Sequence, residues 1–199
     1  MMPQTTGMPQ KNICFFSGDI TRCGGTEKVS ITIANMLRRE GRHRVFFLSL
    51  VEGAELPFFP LEPGIDRYRL GEKWIRPGPG YLKVIPKLRR FLDEQDVDVI
   101  IDVDIVLDSL SIPAAKGRKT KVISWEHFNY QFEQSSVYRR HIQKYSVKRS
   151  DYIVTLTEGD REQYQQHLGR TEGIGAIYNP IDEAVLDPGA AREKRIITV

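Results

Sequence analysis

Seven consecutive residues, Ser124–Trp125–Glu126–His127–Phe128–Asn129–Tyr130, gather a carboxylate, an imidazole, an amide and three aromatic rings at the end of an apolar run. Such a set suits a sugar, whose hydroxyls bond polar groups and whose C–H faces lie on aromatic rings. His127 is the residue there able to hold a proton or a partial charge near neutral pH. A lone histidine also serves ordinary packing, so position decides between the two. Further upstream, Arg22–Cys23–Gly24–Gly25–Thr26–Glu27 precedes a helical pattern. Free N–H groups at a helix start, with glycines that let a ligand approach the backbone, favour an anion such as a diphosphate. A Gly-Gly turn also serves purely local geometry. The spacing is neither G-x-G-x-x-G nor a P-loop.

A third cluster, Asp102–Val103–Asp104, has the form in which two carboxylates bridge a divalent ion and a nucleotide diphosphate. Alternation along an extended chain puts both on one side, which permits that geometry. Asp98, Asp102, Asp104 and Asp108 equally read as strand ends and helix caps, and no metal site is assigned. Two acid-free stretches, Tyr81–Arg90 and Arg139–Arg149, are rich in Lys and Arg. They read either as solvated helix faces or as surfaces attracted to anionic lipid headgroups.

These residues need a frame that brings distant loops together. Apolar runs of strand length alternate with helical periodicity, which indicates an α/β fold with a mostly parallel sheet. Strands are expected at Ile13–Ser17, Arg44–Leu50, Asp66–Leu70, Val97–Val103, Lys121–Trp125, Tyr152–Thr157 and Ile174–Tyr178. Helices are expected over Thr26–Glu40, from Tyr81 or Pro86 to Gln95, and over Leu107–Ala115, Glu133–Arg149 and Glu158–His167. Thr26 is the expected N-cap of the first helix and Gly41 its stop. In a doubly wound sheet, ligands sit beyond the carboxyl ends of strands where the strand order reverses. The loops after Ser17, Val103 and Trp125 are therefore expected to converge.

The chain has 199 residues, 40% of them apolar and 28% charged, with a net charge of +3. That composition excludes a disordered or collagenous protein, and the charge is too even to mark a nucleic-acid binder. No apolar run approaches the ~20 residues of a membrane span, and residues 1–11 read as a disordered tail without the apolar core of a secretory signal. Two cysteines without metal-binding spacing fit a soluble, cytoplasmic protein. Residues 12–182 read as one Rossmann-like domain. Residues 183–199 read as a linker followed by the apolar segment RIITV. That segment is taken as the orphan first strand of a second domain, making the chain a fragment; a final edge strand of the same sheet is the alternative.

Four landmarks in order resemble the N-terminal half of a family-4 retaining glycosyltransferase with the two-domain GT-B fold. They are Gly24-Gly25-Thr26-Glu27, Gly41-Arg42-His43-Arg44-Val45, Glu126-His127, and Asp151-Tyr152-Ile153-Val154-Thr155-Leu156-Thr157 leading to Asn179-Pro180-Ile181-Asp182. The resemblance covers Asn12 to Val199. It implies an acceptor-side domain facing a missing C-terminal domain that binds the nucleotide sugar. Gly24 and Gly25, with Thr26, would touch the donor diphosphate, and His127 would stand near the transferred sugar as the catalytic residue. Asp104, Glu126 and Asn129 would contribute to substrate binding, and Asn179 would begin the interdomain crossover. No cofactor or metal is implied beyond the nucleotide-sugar donor, and the acceptor would be a glycan or a lipid-linked glycan. The implied setting is bacterial surface polysaccharide or lipopolysaccharide synthesis, with peripheral contact at the inner face of the membrane. Because the family's donor-binding residues lie in the other half, this chain alone would be inactive. Two other readings stay open: a metal-dependent GT-A transferase using Asp102 and Asp104, and a non-catalytic module binding a phosphorylated ligand.

Overall fold

The structure is a computed structural model and describes residues 9–180, apart from 74, 76–78 and 135. Residues 1–8 of the tail expected over residues 1–11, the linker and the orphan strand thus lie outside the described residues; within 9–11, Lys11 N donates to His43 Nδ1 at 3.2 Å.

Among the described residues seven strands are found: β1 (Asn12–Ser17), β2 (Arg44–Ser49), β3 (Asp66–Arg69), β4 (Val99–Asp102), β5 (Lys121–Trp125), β6 (Tyr152–Thr155) and β7 (Ile174–Ala176). They form one sheet in the order β3-β2-β1-β4-β5-β6-β7. Every pairing is parallel. Six helices connect them: α1 (Gly25–Glu40), α2 (Pro79–Glu94), α3 (Asp108–Ala115), α4 (Tyr130–Gln134), α5 (Val137–Arg149) and α6 (Glu158–Leu168). The Rossmann-like α/β class expected from the alternation is the one observed.

Parallel strands packed on both faces are apolar at successive positions, and β1 and β2 show it: Cys14, Phe15, Phe16, Phe46, Phe47 and Leu48 are all fully buried. Alternate side chains feed two clusters. Cys14, Phe16, Phe46, Leu48, Ile100 and Val122 meet Leu88 and Leu92 of α2 and Leu110 and Ala114 of α3. Phe15, Phe47, Val103 and Trp125 face the other way, toward Ile31 and Ala34 of α1. A third, smaller cluster joins Val147 of α5, Ile153, Tyr164 of α6 and Ile174.

Three expectations about the helices change. α1 is capped by Gly24 in an extended conformation, without a side-chain cap bond, so Thr26 lies inside the first turn rather than at the N-cap. Gly41 does terminate it, with φ of 70° in the left-handed region that glycine enters without steric cost. Pro86 lies within α2, which starts at Pro79. The carbonyl that loses its bond there belongs to Leu82, whose residue is 70% exposed and open to water. The single helix expected over Glu133–Arg149 is two, because Asn129 Oδ1 accepts from Phe132 N (2.8 Å) to start α4, while extended Ser136 starts α5.

Candidate active site

The strand order reverses between β1 and β4, and a cleft of about 370 Å³ opens there. Gly18, Gly24 and Thr26 from the first loop line it with Val103 and Asp104 from the second, as a switch point requires. Phe128, from the loop after β5, completes the expected convergence. The uncapped first turn of α1 therefore points its N–H groups and the positive end of its dipole at this cleft.

Gly25 has no structural need to be glycine: its φ is negative and a Cβ added there meets nothing within 4 Å. At Gly24, by contrast, a Cβ would press on the carboxylate of Glu27, a buried residue that folds back against the loop. Gly25→Ala is thus expected to leave the thermal midpoint of the chain unchanged or slightly raised, since alanine is the better helix former. The same change should weaken the hold on an anion at this helix start about tenfold, because the added methyl stands where its oxygens would approach the backbone. Isothermal titration and a thermal melt on one variant separate the two effects.

Asp104 caps a short 3-10 turn (Ile105–Leu107) by accepting from Val106 N at 2.9 Å, and it pairs with Arg139 at 3.1 Å. Arg139 also lies over the rings of Phe128 and Phe132, 4.9 and 5.3 Å from their centroids. The sequence placed Arg139 among the basic groups of a helix face; the structure draws it into the cleft. Tyr81 lines the cleft too, and burial, then the neighbouring Tyr138 and Asp104, pushes its hydroxyl up to about 12. It stays protonated as a hydrogen-bond donor. Arg22 and Glu27 flank the glycines within the motif the sequence offers, though neither was taken as a site residue, and no local spacing marks Tyr81 or Arg139.

The expectation that Asp102 and Asp104 share one side of an extended chain fails in detail. Asp102 is fully buried under the cleft, bonded to Ser111 Oγ and beside the equally buried Asp108. The two carboxylates of the D-x-D triplet therefore do not converge on one ligand. Burial, then the charge of Asp108, holds the Asp102 carboxyl well above the usual range, and burial raises Asp108 as well. A carboxyl raised in the fold stays protonated while its unfolded counterpart ionises. Its stabilising contribution is complete below the unfolded value and is lost as pH rises through the folded one. Asp102→Asn, which cannot ionise, should flatten the decline of the thermal midpoint as pH rises above the ordinary carboxylate range. An unchanged slope would rule this account out.

The loop after β5 places its polar groups differently from one another. His127 is half-buried against Trp125, ring centroids 4.4 Å apart, and its Nε2 has no partner among the described residues. Burial lowers its pKa from 6.5 to about 4. The proton or partial charge expected near neutral pH is thereby corrected: the imidazole is neutral. Glu126 turns inward, its residue 1% exposed, accepting from Phe128 N at 3.0 Å and from Tyr164 Oη at 3.0 Å. Its carboxylate holds the loop rather than facing the cleft. Asn129 is exposed and spends its carbonyl on capping α4. Asn179 lies exposed beyond β7, apart from the residues that line the cleft.

His127 itself is not among the residues that line the cleft; its neighbour Phe128 is. A Rossmann-like sheet whose switch-point cleft joins a glycine-opened helix start to the loops after β4 and β5 is the frame of a GT-B transferase half. The sequence model of Glycosyltransferase Family 4 matches residues 23–185, and the chain belongs to that family. It is 34% identical over 170 residues to an uncharacterized glycosyltransferase of Haemophilus influenzae, covering 85% of this chain and 47% of that protein. A Campylobacter jejuni α-1,4-N-acetyl-D-galactosaminyltransferase, whose acceptor is an undecaprenol-diphosphate-linked glycan, is 24% identical over 184 residues, 88% of this chain and 49% of that one. Among solved structures, Anabaena HepE with UDP and glucose superposes with a TM-score of 0.65 at 19% identity, over 88% of this chain and 46% of that one. The lipopolysaccharide outer core galactosyltransferase WaaB, in its apo form, gives 0.62 at 18% identity, over 85% and 46%. The chain spans about half the length of the curated relatives it matches. No helix among the described residues is long and apolar enough to cross a membrane.

Proposed function

We propose that this chain is the acceptor-side half of a retaining glycosyltransferase. The enzyme moves a sugar from a nucleotide-sugar donor to a glycan or lipid-linked acceptor in bacterial surface polysaccharide or lipopolysaccharide synthesis, on the cytoplasmic side of the membrane. The observation that carries this reading is the switch-point cleft opened by the N-terminus of α1 and walled by Phe128, with the neutral His127 the preceding residue of the same loop. The first turn of α1 meets the donor diphosphate across the cleft, with its N–H groups as donors. His127 serves as an uncharged hydrogen-bond partner to the transferred sugar, and Phe128 offers a ring face to a pyranose. Tyr81 and the Asp104–Arg139 pair shape the acceptor side. No step calls for a metal.

The relative from Campylobacter jejuni acts on a lipid-linked acceptor, and HepE was crystallised with UDP and glucose, so both partner classes have precedent among similar proteins. The test compares this chain with the full-length enzyme. The full-length enzyme is expected to transfer sugar from a nucleotide sugar with retention, read by anomeric coupling constants in the product. The chain alone should show neither turnover nor micromolar nucleotide-sugar affinity. Tight donor binding by the chain alone would overturn the division of labour.

A further inference from the structure

We infer that a groove at the far end of the sheet from the cleft is a second binding site, one for a small organic phosphate. The groove, of about 480 Å³, lies where the end of α3, the start of β5 and the end of α5 meet. That volume is within the range of ordinary ligand sites. Ile112, Pro113 and Val122 give it an apolar wall, while Lys116, Tyr145 and Arg149 bring two cations and a phenol to it. The cleft opens beyond the other end of β5, whose five residues put about 13 Å between the two places. The groove shares no lining residue with the cleft.

The fold itself uses only some of the charge gathered there. Asp151 accepts from Lys121 Nζ at 2.8 Å and from Val122 N at 2.9 Å, which occupies its carboxylate. Arg118 holds Asp93 through two bonds of 2.6 Å. Lys116 and Arg149 form no salt bridge among the described residues. The ordinary reason for a cation at such a place is to cap the last carbonyls of a helix. Other groups already do so. At the end of α3, Arg89 donates to the Pro113 carbonyl at 2.7 Å and Arg118 N to that of Ala115 at 2.9 Å. At the end of α5, Arg170 Nη1 donates to the carbonyls of Val147 at 2.7 Å and Ser150 at 3.0 Å. Two cations from different helices thus line one groove with no acid to neutralise them. A phosphate dianion suits that surplus, since its oxygens accept together from a guanidinium, an ammonium and a phenol. Tyr145 stands one turn before Arg149 on α5, and burial, the larger influence, raises its pKa, so the hydroxyl stays a donor. The apolar wall calls for an organic body on the phosphate, because a bare ion would leave Ile112 and Val122 facing water. The site stands apart from the transferase reading, and its test reads binding rather than transfer.

The test is an NMR titration of the 199-residue chain, labelled with nitrogen-15, with phenyl phosphate and with inorganic phosphate. Saturable shifts are expected at the amides of residues 112–122 and 145–151, with phenyl phosphate binding several-fold more tightly than the bare ion. Lys116→Gln/Arg149→Gln should weaken phenyl phosphate about tenfold or more, and Tyr145→Phe a few-fold. All three side chains are exposed, so thermal melts of the variants should match the parent chain. Shifts confined to residues 18–27, at the cleft, would overturn the assignment, as would an affinity unchanged in the double variant. Phenyl phosphate binding no more tightly than inorganic phosphate would overturn it too, since the apolar wall would then take no part.

Discussion

If the chain acts in the transferase proposed above, His127→Ala in that enzyme is expected to slow sugar transfer about a hundredfold or more while nucleotide-sugar affinity changes only a few-fold. The asymmetry follows from placement: the imidazole lies after the end of β5, away from the helix start proposed above to meet the donor diphosphate. The form of the pH dependence is equally specific. With its pKa lowered to about 4 by burial, His127 is neutral throughout the range in which a free imidazole would titrate. Transfer should therefore show no acid limb centred near the ordinary value of 6.5. Such a limb, lost in His127→Ala, would contradict the neutral role. A stability effect accompanies it. The folded value lies below the unfolded one, so the contribution is present above pH 6.5 and is lost as pH falls from there toward about 4. Its full size is on the order of 3 kcal/mol. His127→Asn should remove most of that acid sensitivity in thermal melts.

The second large effect is on the fold that holds this loop. Glu126→Leu is expected to destabilise the chain by about 3 kcal/mol, because it leaves the fully buried hydroxyl of Tyr164 and the N–H of Phe128 without the carboxylate they bond. For a domain of this size that is a fall in the thermal midpoint of roughly 6–12 °C. Glu126→Gln keeps an acceptor oxygen in the same place and should cost less than half as much. Both variants would shift His127 and Phe128, so the activity lost should follow the stability lost. A Glu126→Gln enzyme with full stability and no transfer would instead give Glu126 a direct role with substrate.

How far the sequence is readable depends on the range of the force that sets each feature. The strands were legible because both faces of a parallel sheet are covered, and Phe15, Phe16, Phe46 and Phe47 state that burial directly. The stop at Gly41 was legible because a left-handed residue ends the helix locally. The break between α4 and α5 was not, since the acid-poor run from Glu133 onward is helical throughout in pattern and only the caps at Asn129 and Ser136 divide it. The N-cap at Gly24 was missed because a glycine cap makes no side-chain bond and Thr26 offers the better-known signal.

The sequence by itself determined the alternation of strand and helix, the glycine-opened start of α1 and the Glu126-His127 pair at a strand end. All are local, fixed by periodicity and by neighbours a few residues apart. Only the tertiary structure decided what those residues do. It turned Glu126 onto Tyr164, 38 positions away, and brought Arg139 onto Asp104, 35 positions away. It sank Asp102 beneath the cleft and left His127 neutral under Trp125. Desolvation and pairing depend on what the fold brings near a group, and the neighbours that matter here come from distant parts of the chain.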